Sequence, residues 1–253
     1  MDLDFEFTSD DRPRLVTEIL TACLFDQYGS PLDAEQTWNL AVSRRIECLL
    51  RLVAASQDFD SRLTLRCPGQ DCLQLIEIEL PLSELIALQR DGDNRGLLEW
   101  QDGATILRLR RPTGDDQRRW RTRSFADATE ARNAILRSLV VGGDGSLTIA
   151  ADAGAAPDLP ATLIEMIDER LEEFDPVVAF SVQVGCPHCG VKTDVPLDLE
   201  ALALKELEKI QRQVLDSIHR LAMRYHWSES EIVELTPERR ARYLRLIATE
   251  DTS

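Results

Sequence analysis

Four of the six cysteines in this chain sit in two short stretches, and these stretches constrain the fold more than anything else in the sequence. The first is Cys67-Pro68-Gly69-Gln70-Asp71-Cys72 and the second is Cys186-Pro187-His188-Cys189-Gly190. Each follows a β-like run, 63–66 and 182–184, and each leads into another extended run closed by a Pro-Leu pair, 75–82 and 191–197. A two-cysteine knuckle supplies half of a tetrahedral metal site. Two knuckles close one, and a four-thiolate site is a structural one. The repeated pattern therefore predicts one zinc ion held by Cys67, Cys72, Cys186 and Cys189, which folds two distant hairpins into a single zinc ribbon. Cys-Pro-x-Cys-Gly has the bite a metal needs and a glycine for the tight turn. The first knuckle is wider, with four residues between its cysteines. Two alternatives stay open: four reduced cysteines without metal, and His188 as ligand in place of a cysteine.

Charge narrows the partners. Acidic residues number 45 against 29 basic ones, a net charge of −16. That balance argues against a sequence-independent grip on nucleic acid, which depends on neutralising phosphates. It favours a partner with a basic face, or simply solubility. No apolar run approaches membrane-spanning length. The opening Met1-Asp2-Leu3-Asp4-Phe5-Glu6 lacks the basic start of a signal peptide. The expectation is a cytoplasmic protein with no membrane partner, in a compartment that keeps thiolate ligands reduced. Cys23 and Cys48 fall in helical apolar patterns and read as buried small hydrophobes.

Periodicity supplies the rest of the architecture. Leu15, Ile19, Leu20, Cys23 and Leu24 predict a helix over 14–28, broken by Gly29-Ser30-Pro31. Asp33 reads as the N-cap of a second helix reaching Ala55, with Trp38, Val42, Ile46, Leu49, Leu50 and Val53 on its apolar stripe. Arg44, Arg45 and Glu47 read as its solvated face. Ile76, Ile78 and Leu80 alternate with acids as a half-buried strand does. A short helix is expected over 82–90, a turn or loop over 91–96 and a strand over 106–110. Arg111-Pro112-Thr113-Gly114 lacks the glycine-lysine pattern of a phosphate loop and reads as a strand-to-helix turn. Helix dominates 115–141, where Arg118, Arg119, Arg121 and Arg123 around Trp120 read as local ion-pair partners. Residues 142–157 read as loose, around a short strand at 147–149. A helix over 159–174 precedes the second knuckle. Asp198 opens a long helix to Tyr225 with apolar residues at three-four spacing. Ser228 and Glu231 then form a capping box with Trp227 at the staple position, and Thr236-Pro237 starts a return helix. The class is α+β. A small antiparallel zinc-ribbon unit built from two distant knuckles is surrounded by helices and followed by a long C-terminal helical tail. By segment, 1–60 is a helical region, 61–197 the zinc-ribbon unit with a helical insertion at about 112–176, and 198–253 the tail.

Catalytic chemistry has no foothold in this pattern. The chain holds three histidines. His188 lies inside a knuckle, and His219 and His226 lie on or beside the long helix as packed or capping groups. No zinc-protease helix, nucleophile elbow or dinucleotide loop is present. Four thiolates leave no open metal position to activate water. The expectation is a protein that is not an enzyme.

The run from His219 to Ile232, His-Arg-Leu-Ala-Met-Arg-Tyr-His-Trp-Ser-Glu-Ser-Glu-Ile, continues into Leu235-Thr236-Pro237-Glu238-Arg239-Arg240-Ala241-Arg242-Tyr243-Leu244. It resembles the C-terminal signature of baseplate hub assembly chaperones of T-even phage type, whose bacterial members accompany contractile tails and contractile injection systems. Residues 38–52, the turn at 111–116 and the knuckle-strand pattern also resemble that family. The wide first knuckle departs from it, since two intervening residues are usual there. The resemblance implies an accessory factor that binds baseplate hub or spike proteins during assembly, and it brings no catalytic residues. The rival readings are a structural baseplate component retained in the particle and, from another class, a zinc-ribbon regulator that binds nucleic acid. Aromatic residues and arginine are enriched at binding hot spots, so Tyr225, Trp227, Arg239, Arg240 and Tyr243 are the candidate partner-binding residues.

Overall fold

The computed structural model describes residues 4–56, 62–69, 72–93, 96–102, 105–144 and 161–250. They form two compact units. One spans 8–203, and the other combines 4–7 with 204–250. The chain is α+β, and its sheets are small and antiparallel.

Asp11 caps α1 (Arg12–Cys23), which buries Leu15, Val16, Ile19 and Leu20. This helix stops short of the expected Tyr28 because Leu24 is extended and Phe25 bridges to Pro31 around a left-handed Gly29. Asp33 opens α2 (Ala34–Trp38) with a full capping box. The single expected helix is then interrupted. Ala41 bridges to Thr113, the Val42 amide donates to Pro112 and the Gly114 amide donates to Leu40. Beyond this break α3 (Val42–Ser56) buries Val42, Ile46, Leu49, Leu50 and Val53 and packs on α1.

Strands β1 (Arg62–Arg66) and β2 (Leu75–Glu79) pair as a two-stranded hairpin, Arg62 opposite Glu79 and Arg66 opposite Leu75. Helix α4 (Leu82–Asp93) packs on α3 and runs through residues expected to turn. A three-stranded sheet follows, made of β3 (Leu98–Asp102), β4 (Thr105–Leu109) and, later in the chain, β5 (Val140–Asp144), in the order β3-β4-β5. Thr113 caps α5 (Gly114–Arg121) in a capping box with Asp116, which makes 111–114 the strand-to-helix turn expected. Helix α6 (Ala128–Leu139) feeds straight into β5. The paired glycines 142–143 read as loop, yet they lie in β5, where the register with β4 shifts between Leu107 and Leu109. Glycine inside a strand marks such an irregularity. With α7 (Ala161–Phe174) this sheet encloses Leu98, Leu107, Leu109, Leu136, Leu139, Leu163, Ile167 and Phe174. The strand expected at 147–149 and the stretch to 157 lie outside the described residues.

The second hairpin pairs β6 (Ser181–Gly185) with β7 (Lys192–Pro196). Asp198 caps α8 (Leu199–Tyr225), accepting from the Ala201 amide at 2.9 Å. Helices α9 (Glu229–Glu234) and α10 (Pro237–Glu250) complete the tail, with the Ser228–Glu231 capping box in place. Leu221, Ile232 and Ile247 form the tail's own core. His226 leaves α8 in the left-handed region at φ 56°, and its amide donates back to Ala222.

The solvated face read for α3 is corrected at two positions. Arg44 is exposed, but Arg45 and Glu47 are fully buried. Glu47 is held by Arg44 and by Arg51, 2.7 Å away. The Arg45 guanidinium donates to the Thr37 carbonyl at 3.0 Å, the Pro13 carbonyl at 2.7 Å and Thr17 Oγ1 at 2.9 Å. Its Cζ lies 5.2 Å from the centre of the Trp38 ring, and Arg118 Cζ lies 4.9 Å from the same ring. Burial pulls the Arg45 pKa down to about 10, so the group stays cationic at neutral pH. A buried charge persists only when it is hydrogen-bonded, and here two carbonyls and a hydroxyl of α1 and α2 accept from Nη1 and Nη2, while Nε is left without a partner. Position 45 lies one helical turn from Val42 and from Leu49, inside the apolar arc. That placement was the available signal.

Three arginines of the basic run are ion-paired. Arg118 and Arg119 bind Asp115, Arg119 also binds Asp116 at 3.0 Å, and Arg121 lies 3.4 Å from Asp11. Cys48 is buried and Cys23 half-buried, and burial pushes both thiols up. Among the described residues, no helix is long and apolar enough to cross a membrane.

Candidate metal centre

Two hairpins built alike present their turns to one another. Cys67 directly follows β1 and Cys186 directly follows β6. Each cysteine amide then closes its loop, Cys67 to the Gln74 carbonyl at 2.8 Å and Cys186 to the Val191 carbonyl at 2.9 Å. The residue after the second cysteine is left-handed in both knuckles: Gly190 has φ 74° and Leu73 has φ 43°. The first loop carries two more residues than the second, and its sulfurs reach the same place.

All four sulfurs lie within 4.8 Å of one another. Cys67 Sγ is 3.6 Å from Cys189 Sγ, and Cys72 Sγ is 3.7 Å from Cys186 Sγ. A tetrahedron of thiolates about 2.3 Å from a zinc ion has edges of about 3.8 Å. A disulfide requires about 2.05 Å, and all four cysteines are free. The donor set and its spacing therefore fit a tetrahedral metal ion such as zinc. Among the described residues this is the one group of histidine, cysteine and acidic side chains placed to hold a metal, and His188 is outside it.

Comparison of the chain with family models, with characterised proteins and with solved structures finds no match.

Backbone amides tune the sulfurs unequally. The Cys189 amide, and after it the His188 amide, draw the Cys186 thiol down to about 6 against the opposing effect of burial. The Gly69 amide, 3.4 Å from Cys67 Sγ, favours that thiolate as well. Burial and the neighbouring cysteines reverse its effect and push Cys67 up to about 12. One thiolate thus forms readily and each further one meets like charge within 4.8 Å. A divalent cation removes that repulsion, which is why four thiolates and a metal make a consistent set.

The surrounding core is thin. Cys67 and Cys186 are themselves two of its four buried members, with Ile76 and Val184. Leu65, Ile78, Val182 and Val195 pack partly buried against them. Each hairpin forms a separate two-stranded sheet, and a two-stranded hairpin is marginal alone in water.

The candidate partner-binding residues divide by exposure. Tyr225 and Trp227 stack with centroids 4.8 Å apart, and Tyr243 meets them edge-on at 5.5 and 5.0 Å. All three rings are half-buried against Leu221, Ile232 and Ile247. Arg239 is exposed and Arg240 half-buried. Met223, Val233 and Leu246 are exposed apolar side chains of the same unit.

Proposed function

We propose that this chain is a non-enzymatic assembly factor, a chaperone for the baseplate hub of a phage-like contractile tail or contractile injection system. It acts in the cytoplasm by protein–protein binding, and a structural zinc ion on Cys67, Cys72, Cys186 and Cys189 holds its hairpins together. One observation carries this reading. The segment from His219 to Leu244 that resembles the hub-chaperone signature forms a compact tail unit, with the exposed Arg239 and the exposed apolar Met223, Val233 and Leu246 around an aromatic cluster. Exposed apolar side chains beside arginine and half-buried aromatic rings are the composition of a binding surface.

The test uses Arg239→Ala/Arg240→Ala, which spares the apolar face of α10. The variant is expected to fold and to keep its metal, to lose co-purification with the hub or spike subunit, and to leave few complete tails in cells. Normal tail assembly by a variant that is folded and metal-bound sinks this reading. Mass spectrometry of purified sheathed particles decides between a factor that departs and a component that stays.

A further inference from the structure

Gln211, in the middle of α8, does something the zinc hairpins and the aromatic cluster leave unused. Its side-chain Oε1 accepts the Phe5 amide at 3.0 Å, and its Nε2 donates to the Phe5 carbonyl at 3.1 Å. The same Nε2 lies 3.2 Å from a carboxylate oxygen of Asp4. Binding both the N–H and the C=O of one residue is how a strand reads its neighbour. A side chain that does so holds an extended peptide through its backbone, whatever the peptide's side chains. Phe5 and Phe7 are half-buried with their rings edge-on, 6.5 Å apart, while Asp4 and Glu6 face solvent. The two rings are thus brought together, and the chain turns at Phe7 and Thr8. Leu207, Val214 and Ile218 lie one or two turns from Gln211 on its own face of α8, and all three are half-buried.

We propose that this face of α8 is a docking groove for a short segment of the assembly partner, with an acidic–aromatic–x–aromatic pattern, and that residues Asp4–Phe7 occupy the groove until the partner arrives. The chemistry is read from the occupant: a backbone for the glutamine clamp, an acid before the first aromatic residue, and two aromatic rings on one side. Residues 4–6 belong to no strand, so releasing them breaks no sheet. A segment tethered in cis competes at high effective concentration, so the free groove is a minor state. The inference rests on the tail being the partner-binding unit, and it names the segment that unit binds.

The probe is a fluorescent peptide with the sequence of residues 4–9, and its binding to the full-length protein is followed by anisotropy. The Phe5→Ala/Phe7→Ala protein is expected to bind it at least about tenfold tighter than the wild type, because the cis competitor is weakened. Adding Gln211→Met should then weaken binding at least about tenfold, and a peptide with alanine at both aromatic positions should not compete. Gln211→Glu, which keeps an acceptor but loses the donor and repels Asp4, gives a second reading if Gln211→Met does not fold. Absence of binding, equal binding to wild type and Phe5→Ala/Phe7→Ala, or indifference to both Gln211 variants overturns the groove. A wild-type dimer that the peptide dissociates overturns the partner assignment in favour of a second copy. The assembly role fails separately: if peptide binding behaves as expected but Gln211→Met supports normal tails, the groove stands and the hub reading falls.

Discussion

Two polar centres tie distant parts of residues 8–203 together, and they are built on opposite plans. Around the sulfur centre, four side chains from two loops converge with edges of 3.6 and 3.7 Å, a spacing that fits a metal ion. Around Arg45 the cation belongs to the chain, and the acceptors that converge on it are the carbonyls of Pro13 and Thr37 and the hydroxyl of Thr17. The sulfur centre sits in a core of four buried residues, two of them the ligands themselves. The Arg45 centre sits among helices that bury Leu15, Val16, Ile19, Leu20, Ile46, Leu49, Leu50 and Val53 in their own right. Where apolar burial is thin, the polar centre is the fold. Where burial is ample, the polar centre selects one arrangement of elements that would collapse anyway.

The largest expected effect breaks the first centre alone. Chelation, or Cys186→Ser, is expected to unfold both hairpins, because structural zinc binding and folding are one event worth on the order of 10 kcal/mol in small metal-folded domains. Hydrogen exchange read by mass spectrometry should show the amides of β1, β2, β6 and β7 losing protection while α1 and α3 keep theirs. Elemental analysis should give one zinc per wild-type chain. Protein purified without chelator that holds no metal, with hairpins still protected, would falsify the metal centre.

The two centres also differ in how far the sequence reveals them. Cys67, Cys72, Cys186 and Cys189 were legible because a metal needs fixed ligand types at short spacing, and each knuckle carries that spacing within six residues. The capping residues Asp33 and Ser228 were similarly open to reading, since their bonds reach only three residues along the chain. The acceptors of Arg45 were not legible, because they lie up to 32 positions away and two of the three are backbone carbonyls, which carry no residue identity. The break between α2 and α3 was hidden for the same reason, as it is set by the distant Pro112 and Thr113. Strand β5 was missed because its pairing with β4, and not its glycine-rich composition, makes it a strand.

The second effect is smaller and acts on the other centre. Gly114 leaves the room that the guanidinium fills: a Cβ there would stand 2.4 Å from Arg45 Nη1 and 2.7 Å from Cζ. Gly114→Ala must displace the arginine, and the expected loss is about 2–3 kcal/mol from overpacking and from buried acceptors left without donors. Arg45→Lys should cost a comparable amount, since one ammonium cannot span the three acceptors of the planar fork. Both variants are expected to retain zinc and protected hairpins while the denaturation midpoint falls. Loss of metal from Gly114→Ala would show that the centres are energetically coupled and that the contrast between them is false.

The smallest effect compares the two knuckles within the sulfur centre. The residue after the second cysteine is left-handed in each, and the chain uses glycine at 190 but leucine at 73. An L-residue with a side chain pays about 1–2 kcal/mol for that conformation, whereas glycine adopts it freely and loses some unfolded-state entropy in exchange. Leu73 is 66% exposed, so little packing is lost on removing its side chain. Leu73→Gly is therefore expected to stabilise the metal-bound state by about 1 kcal/mol, which tightens zinc binding about fivefold. Gly190→Leu should weaken it by about 1–2 kcal/mol, because it imposes on the tight knuckle the strain the wide one already carries. Competition with a chromophoric chelator measures both. The sign is the test: Leu73→Gly that binds zinc more weakly than wild type would mean that the leucine side chain, and not the turn's handedness, holds the first knuckle in place.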